Sequence, residues 1–445
     1  MDVEGVLDRA FRDDWARIVA TLIGALGDWD LAEECAQEAF TAALPAWRRD
    51  GIPDSPRAWL TTTARHRAVD RIRRARVGAA KQRALAAEET VDLAVNLDAL
   101  DSGIADERLR LIYTCCHPAL SVQSRVTLAL RTLCGLSTAE IARAFLVGEA
   151  TMAKRLVRTR QKIALAGIPY RVPPAHLLPE RTGAVLAVVY LMFHEGYAAT
   201  AGPALIRSDL CAHAVGLARM VAELMPDHPE ATGLHALLLL QHARRGARTT
   251  ADGTLVPLDE QDRSRWDHAA IAEGVTAIRR AVRRERVGPY QLQALIAASH
   301  ATARTAADTN WARIADLYDR LLPLVPSSTV RLNRVIAIAM RDGPQAGLDL
   351  LDAASDPDPP DPANDQPAGE RTAGQRTGDE RTGDGRTGDE RTADDHPLLS
   401  ATRADLLRRL GRDAEAAEQY RAALARTANQ AERGYLTRRL AELGV

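Results

Sequence analysis

Apolar residues recur at helical spacing along most of the chain. Leu7, Phe11, Trp15, Ile18, Val19 and Leu22 step by threes and fours, which predicts a helix with one buried stripe. Asp30 is placed to cap the next helix, DLAEECAQEAFTAALPAW. Pro45 and the turn Asp50-Gly51-Ile52-Pro53 are expected to end it. Ser55-Pro56 opens a third helix, with proline where the first turn tolerates it. Residues 1–77 thus read as one helical unit and 78–105 as a polar connector. Residues 106–170 form a second helical unit. Within it Ser137-Thr138-Ala139-Glu140 has the form of a capping box, in which the serine caps and the glutamate reaches back. Leu146-Val147-Gly148 makes a short turn, and another helix starts near Glu149. Two helices joined by a short glycine-containing turn are the helix-turn-helix pattern.

Pro169, Pro173, Pro174 and Pro179 read as a hinge. Residues 180–353 resume helical Ala/Leu periodicity, interrupted by a loop at Asp252-Gly253-Thr254 and Pro257. Residues 354–396 differ in kind. From Arg371 to Thr392 a five-residue unit, ERTAG-QRTGD-ERTGD-GRTGD-ERTAD, repeats Arg and Thr in phase. Such a repeat has too little apolar surface to bury, so disorder is expected. In 397–445, Leu406, Leu407, Leu410, Gly411, Ala414, Ala417, Tyr420 and Ala423 follow tetratricopeptide spacing. Trp311–Leu351 has a related rhythm. Strand-like runs are scarce, so the fold class is all-α: two helical units followed by a helical-repeat region.

At 445 residues, two to three domains are expected. The apolar runs Leu186–Phe193 and Ala236–Leu240 are too short to span a bilayer. The N-terminus lacks a signal-type apolar core, so a cytoplasmic protein without membrane partners is expected. Five scattered cysteines suit reduced thiols. Cys115-Cys116-His117 reads as a packed turn, because adjacent cysteines rarely chelate one ion and no second ligand pair has zinc-like spacing. His194-Glu195-Gly196 has no second histidine four residues after His194. Neither a phosphate loop nor a nucleophile elbow is found. The reading is therefore a non-enzyme without metal or cofactor.

Charge sharpens the picture. The chain is nearly neutral, at −1, yet its basicity is concentrated. PRAWLTTTARHRAVDRIRRARV, residues 56–77, holds seven arginines against one carboxylate, Asp70. From Lys154 to Lys162 there are five basic side chains and no acid. Clustered Lys/Arg on helices is the electrostatic footprint of a nucleic-acid binder, because each phosphate contact releases counterions.

These segments resemble the extracytoplasmic-function type of bacterial RNA polymerase sigma factor. DLAEECAQEAFTAALPAW is similar to sigma region 2.2, PRAWLTTTARHRAVDRIRRAR to regions 2.3–2.4, and LSTAEIARAFLVGEATMAKRLVRTRQKI to region 4.2. Further segments, TCCHPALS, GEATMAKRLVR, MFHEGY and LDEQDRSRWD, resemble the subgroup with a long tetratricopeptide-like C-terminal extension. The resemblance implies binding to core RNA polymerase and to promoter DNA. In the subgroup the extension is thought to take part in control, and a small YCII-related protein is a further implied partner.

The resemblance also implies site residues. Glu33, Glu34, Gln37 and Glu38 would dock basic side chains of the polymerase. Arg65, His66, Asp70, Arg73 and Arg74 match the −10-binding region of the family, which commonly has Asn where His66 stands. Glu149, Ala150, Thr151 and Lys154 would lead the −35 recognition helix, with Arg155, Arg158 and Arg160 after them and more often holding phosphate. The family often has Lys where Ala153 stands. Trp59 reads as core. The charged run Asp259–Asp267 reads as an interdomain salt-bridge network. A chain cut after Arg171 is expected to stay soluble. The competing readings are a stand-alone helix-turn-helix regulator with a repeat-type sensor, and a repeat scaffold that captures other proteins.

Overall fold

A computed structural model describes residues 2–83, 107–145, 147–197, 208–250, 253–283, 287–355, 397–427 and 429–444. The remainder of the 78–105 connector beyond 83, and residues 356–396 with the pentapeptide repeat, lie outside the described residues. The chain separates into two units: Met1–Ala198 with Arg207–Leu238, and Ala199–Ile206 with Leu239–Val445. The protein is all-α, with an isolated bridge between Thr249 and Leu255 as the exception among the described residues.

In the first unit α1 (Val3–Leu26), α2 (Trp29–Asp50) and α3 (Pro56–Arg83) pack on one another. Phe11, Trp15 and Phe40 form their aromatic centre, with ring centroids 5.1, 5.2 and 6.0 Å apart. Two local expectations change. Asp28, not Asp30, caps α2 by accepting from the Leu31 amide at 3.0 Å. Pro45 lies inside α2, which runs on to Gly51, where φ is 88°. Trp59 is half-buried, edge-on to Trp47 at 5.7 Å.

The second group of helices in this unit is α4 (Glu107–Cys115), α5 (Val122–Thr132), α6 (Thr138–Ala144) and α7 (Glu149–Leu165). The expected capping box is present: Ser137 Oγ accepts from the Glu140 amide, and the Glu140 carboxylate accepts from the Ser137 amide at 2.7 Å. The Ser137 hydroxyl, and then the Ser137 amide, both donating to the carboxylate, hold the Glu140 carboxyl below its usual range. The proline-rich stretch after residue 169 leads through a 3-10 turn, Ala175–Leu177, straight into α8 (Leu178–Tyr197). Far from hanging beyond a hinge, α8 packs on α4 and α5. The Tyr113 hydroxyl meets Thr182 Oγ1 at 2.7 Å and Met225 Sδ at 3.3 Å, beyond the end of α9 (Ser208–Leu224). After it comes α10 (Pro229–His242).

In the second unit α11 (His268–Ala281), α12 (Pro289–Ala301), α13 (Trp311–Leu321), α14 (Ser328–Asp342), α15 (Pro344–Ser355), α16 (Pro397–Arg409), α17 (Asp413–Arg426) and α18 (Gln430–Glu442) each pack on the next. Leu348, Leu351, Leu406, Leu407, Tyr420 and Ala423 share one core. The array's end meets the loop at its start: Arg438 and Arg439 pair with Glu260, and the Leu255 amide donates to the Ala431 carbonyl at 3.4 Å. The run Asp259–Asp267 is therefore an internal clasp of this unit. Arg263 reaches the carbonyls of His300 and Ala303 at 2.7 and 2.8 Å and lies over the Trp266 ring, while Asp267 caps α11.

Candidate nucleic-acid interface

The buried stripe of α3 is narrow. Leu60, Ala64 and Ala68 recur every fourth residue and seat the helix on α1 and α2. Arg65, His66, Arg67, Asp70, Arg73 and Arg74 lie off this stripe, so the same spacing that buries three small or branched side chains leaves a basic face. His66, Asp70, Arg73 and Arg74 are exposed on it, and Arg65 is half-buried. Among the described arginines, Arg67 and Arg71 turn toward α2. Arg71 pairs with both Glu34 and Glu38 on α2, and Arg67 lies 4.0 Å from Glu38. By sequence alone both count as free basic surface.

The α7 helix is built the same way. Met152, Leu156, Thr159 and Ile163 face inward. Glu149, Ala150, Thr151, Lys154 and Arg158 are exposed and Arg155 is half-buried, so six of the seven expected contact residues are open to solvent. Arg160 does not join them. It turns inward, pairs with Asp30, and donates to Glu33 Oε1 at 2.7 Å.

The four residues read as a polymerase dock separate likewise. Gln37 is exposed, Glu34 and Glu38 carry Arg71, and Glu33 is buried with its side chain 2% accessible. Besides Arg160, Glu33 accepts from Arg131 Nε at 2.8 Å and from Thr132 Oγ1 at 2.9 Å. A buried carboxylate needs such partners, since leaving it unpaired costs several kcal/mol. Sequence reasoning missed Arg131 and Thr132. The available signal was Glu33 itself, which falls on the stripe Glu33, Ala36, Phe40, Ala43, Trp47 and so faces inward.

The contact between α1–α2 and α4–α7 extends beyond this cluster. Trp15 Nε1 donates to the Thr132 carbonyl at 3.1 Å, and the Tyr170 hydroxyl donates to the Ala20 carbonyl at 2.8 Å. Tyr170 also stands edge-on to Trp29. Cys115, the last residue of α4, and Cys116 after it are buried, and burial pushes the Cys116 thiol up to about 12. Neither is a reactive thiol at neutral pH. Thr114 Oγ1 ties the same turn to the Arg110 and Pro169 carbonyls at 2.8 and 3.3 Å. His117 Nδ1 accepts from the Ala119 amide, and Arg125 binds the Leu120 and Pro118 carbonyls, so TCCHPALS is a braced turn.

Three family models match the chain: sigma-70 region 2 over residues 7–77, sigma-70 region 4 over 110–163, and a family of unknown function (DUF6596) over 181–282. An uncharacterized protein of Rhizobium meliloti (strain 1021) is 42% identical over 357 residues, spanning 78% of this chain and 83% of the relative. The ECF RNA polymerase sigma factor SigK of Mycobacterium ulcerans (strain Agy99) is 33% identical over 157 residues, 34% of this chain and 78% of that protein.

Proposed function

The chain belongs to the extracytoplasmic-function sigma factors, and from that premise we propose that it binds core RNA polymerase and directs it to promoters through separate −10 and −35 contacts. The observation that carries the reading is the pair of exposed basic faces on α3 and α7, attached to an acidic α2. A stand-alone repressor needs one DNA-reading helix and has no use for the acidic one. In this reading His66, Asp70, Arg73 and Arg74, with Arg65 beside them, contact the −10 element. The leading residues of α7 read base edges of the −35 element, and Arg155 and Arg158 hold phosphates. The helices from α8 onward modulate this activity.

Transcription reconstituted from purified core polymerase, this chain and genomic promoter fragments tests the proposal. Specific transcripts are expected only with both proteins present. Lys154→Ala should weaken −35 recognition by about 1–3 kcal/mol if its contact is a bidentate one to a base. Tight operator binding by the chain alone, without any effect on core enzyme, would overturn the reading.

A further inference from the structure

Arg125, Arg181 and His117 come together at the turn between α4 and α5. Arg125 lies in the first turn of α5 and Arg181 in the first turn of α8, and these two helices pack on each other. Arg125 donates from Nε to the Leu120 carbonyl at 2.8 Å and from Nη2 to the Pro118 carbonyl at 3.3 Å. Arg181 donates from Nη2 to the Tyr113 carbonyl at 2.9 Å. Both guanidiniums are thus held on the stretch Tyr113–Leu120, which also carries His117. Among the described residues neither arginine makes an ion pair, and Arg181 Nε is buried without a hydrogen-bond partner. The first turn of a helix already carries partial positive charge on its unpaired amides, so an arginine there is electrostatically misplaced. Positive charge gathered against that rule, without a counter-ion, is a mark of function. We propose that Arg125, Arg181 and His117 form a binding site for a phosphate group, free or on a small ester, that bridges the first turns of α5 and α8.

What this cluster offers a ligand is donors. The carbonyls of Tyr113, Pro118 and Leu120 already accept from the two arginines, and those of Thr114 and His117 accept from backbone amides. His117 Nδ1 accepts from the Ala119 amide at 3.2 Å, which leaves the proton of the neutral imidazole on Nε2. Burial, and then the charges of Arg181 and Arg125, hold the His117 pKa below its usual 6.5. The ring is therefore a neutral donor at neutral pH, with both guanidiniums within electrostatic reach. Burial also pulls the Arg181 pKa down, and Arg125 adds to the effect. The N–H groups left over are Arg125 Nη1, Arg181 Nη1 and His117 Nε2, on three half-buried side chains open to solvent. A metal cation finds no lone pair among them. A carboxylate presents its two oxygens in one plane, whereas a tetrahedral phosphate can accept from three separate segments at once. Capping the end of α4 accounts for one N–H of Arg181, and bracing the turn for two of Arg125. Neither role requires the two cations to share a place. The exposed Glu180, next to Arg181, opposes an anion and gives the site a directional test.

The site stands apart from the proposed DNA and polymerase contacts, and calorimetric titration of the full chain at constant ionic strength tests it. The probes are inorganic phosphate, a nucleoside monophosphate and acetate. At least one of the two phosphates should bind and raise the melting temperature, and the tighter one identifies the source as free or esterified. Arg181→Gln should weaken binding about tenfold or more, and His117→Ala about threefold, as expected for a charged and a neutral donor. Arg181→Lys keeps the charge but loses the planar fork, so its affinity should fall between wild type and Arg181→Gln. Glu180→Gln should strengthen binding about two- to threefold. Arg73→Ala combined with Lys154→Ala thins both DNA-facing surfaces and should leave phosphate binding unchanged. Loss of binding in that double variant, with Arg181→Gln unaffected, would put the phosphate on the DNA-facing helices and overturn the proposal. Acetate binding as tightly as phosphate would make the site a dock for a protein carboxylate instead. Absence of binding by either phosphate at millimolar concentration would remove the site. Should Arg181→Gln melt early, Glu180→Gln decides, because it leaves every described bond of Arg181 in place. An unchanged affinity in that variant would show that the ligand lies elsewhere.

Discussion

Among single residues, Glu33, Glu34 and Glu38 look alike in the sequence, yet their positions around α2 separate them. Glu33 shares the stripe of Ala36, Phe40 and Trp47 and is buried, while Glu34 and Glu38 sit on another face and take Arg71. That division is readable from periodicity. The identity of the partners is not, because Arg131 and Arg160 lie about a hundred residues or more away, and spacing along one helix carries no information about which helix will face it. Gly135 is a second such case. It adopts φ of 75° just past α5, and a Cβ there would sit 2.6 Å from Phe11 and 3.1 Å from Trp15. Gly135→Ala should therefore combine left-handed strain with overlap against the aromatic centre, costing roughly 2–3 kcal/mol. Urea unfolding reads this directly. A midpoint equal to wild type would mean the α1–α5 contact does not form as described.

Among the helices, strongly periodic ones are legible in the sequence and their ends less so. The capping box at Ser137–Glu140 and the start of α7 follow from local chemistry alone. Asp28 displaces Asp30 as the cap of α2 because the helix begins one residue before Asp30, at Trp29, and a capping side chain must stand outside the first turn. Tetratricopeptide-like spacing anticipates the tight α16–α17 pair, with Tyr420 and Ala423 buried between its helices and their neighbours. The charged clasp before α11 has a consequence for pH. His300, at the end of α12, stands edge-on to Trp311, and its pKa is pushed down from 6.5 to about 4 by burial, then by the nearby Arg244 and Arg263 cations. The unfolded chain takes up this proton near pH 6.5 and the folded chain refuses it until about pH 4. The neutral imidazole's contribution is thus fully present above pH 6.5 and is lost as pH falls through that window. Thermal melts between pH 7.5 and 4.5 should show a shallower decline for His300→Gln than for wild type. Parallel curves would remove His300 as a source of acid sensitivity.

Across the whole molecule, the prolines between 169 and 179 mislead. Proline punctuates local structure, so a cluster of them reads as a boundary. Tertiary packing decides whether the chain also parts there, and it does not. The α8 helix buries Val185, Leu186, Val189, Met192 and Phe193, packs on α4 and α5, and brings Thr182 to the Tyr113 hydroxyl. Arg181 donates to the Tyr113 carbonyl at 2.9 Å, a second tie between α8 and the helix-turn-helix region. A chain ending after Arg171 would strip this cover from α4 and α5, and each large apolar side chain returned to water costs about 1.5–3 kcal/mol. Contrary to the expectation from sequence, that fragment should aggregate or melt well below the full chain. A chain ending after His242 retains α8, α9 and α10 and should remain monomeric with a cooperative melt. Size-exclusion chromatography with calorimetry on the two fragments checks this. Were the 1–171 fragment monodisperse and as stable as 1–242, α8 would be an appendage, and any control by the C-terminal helices would have to act without touching the helix-turn-helix region.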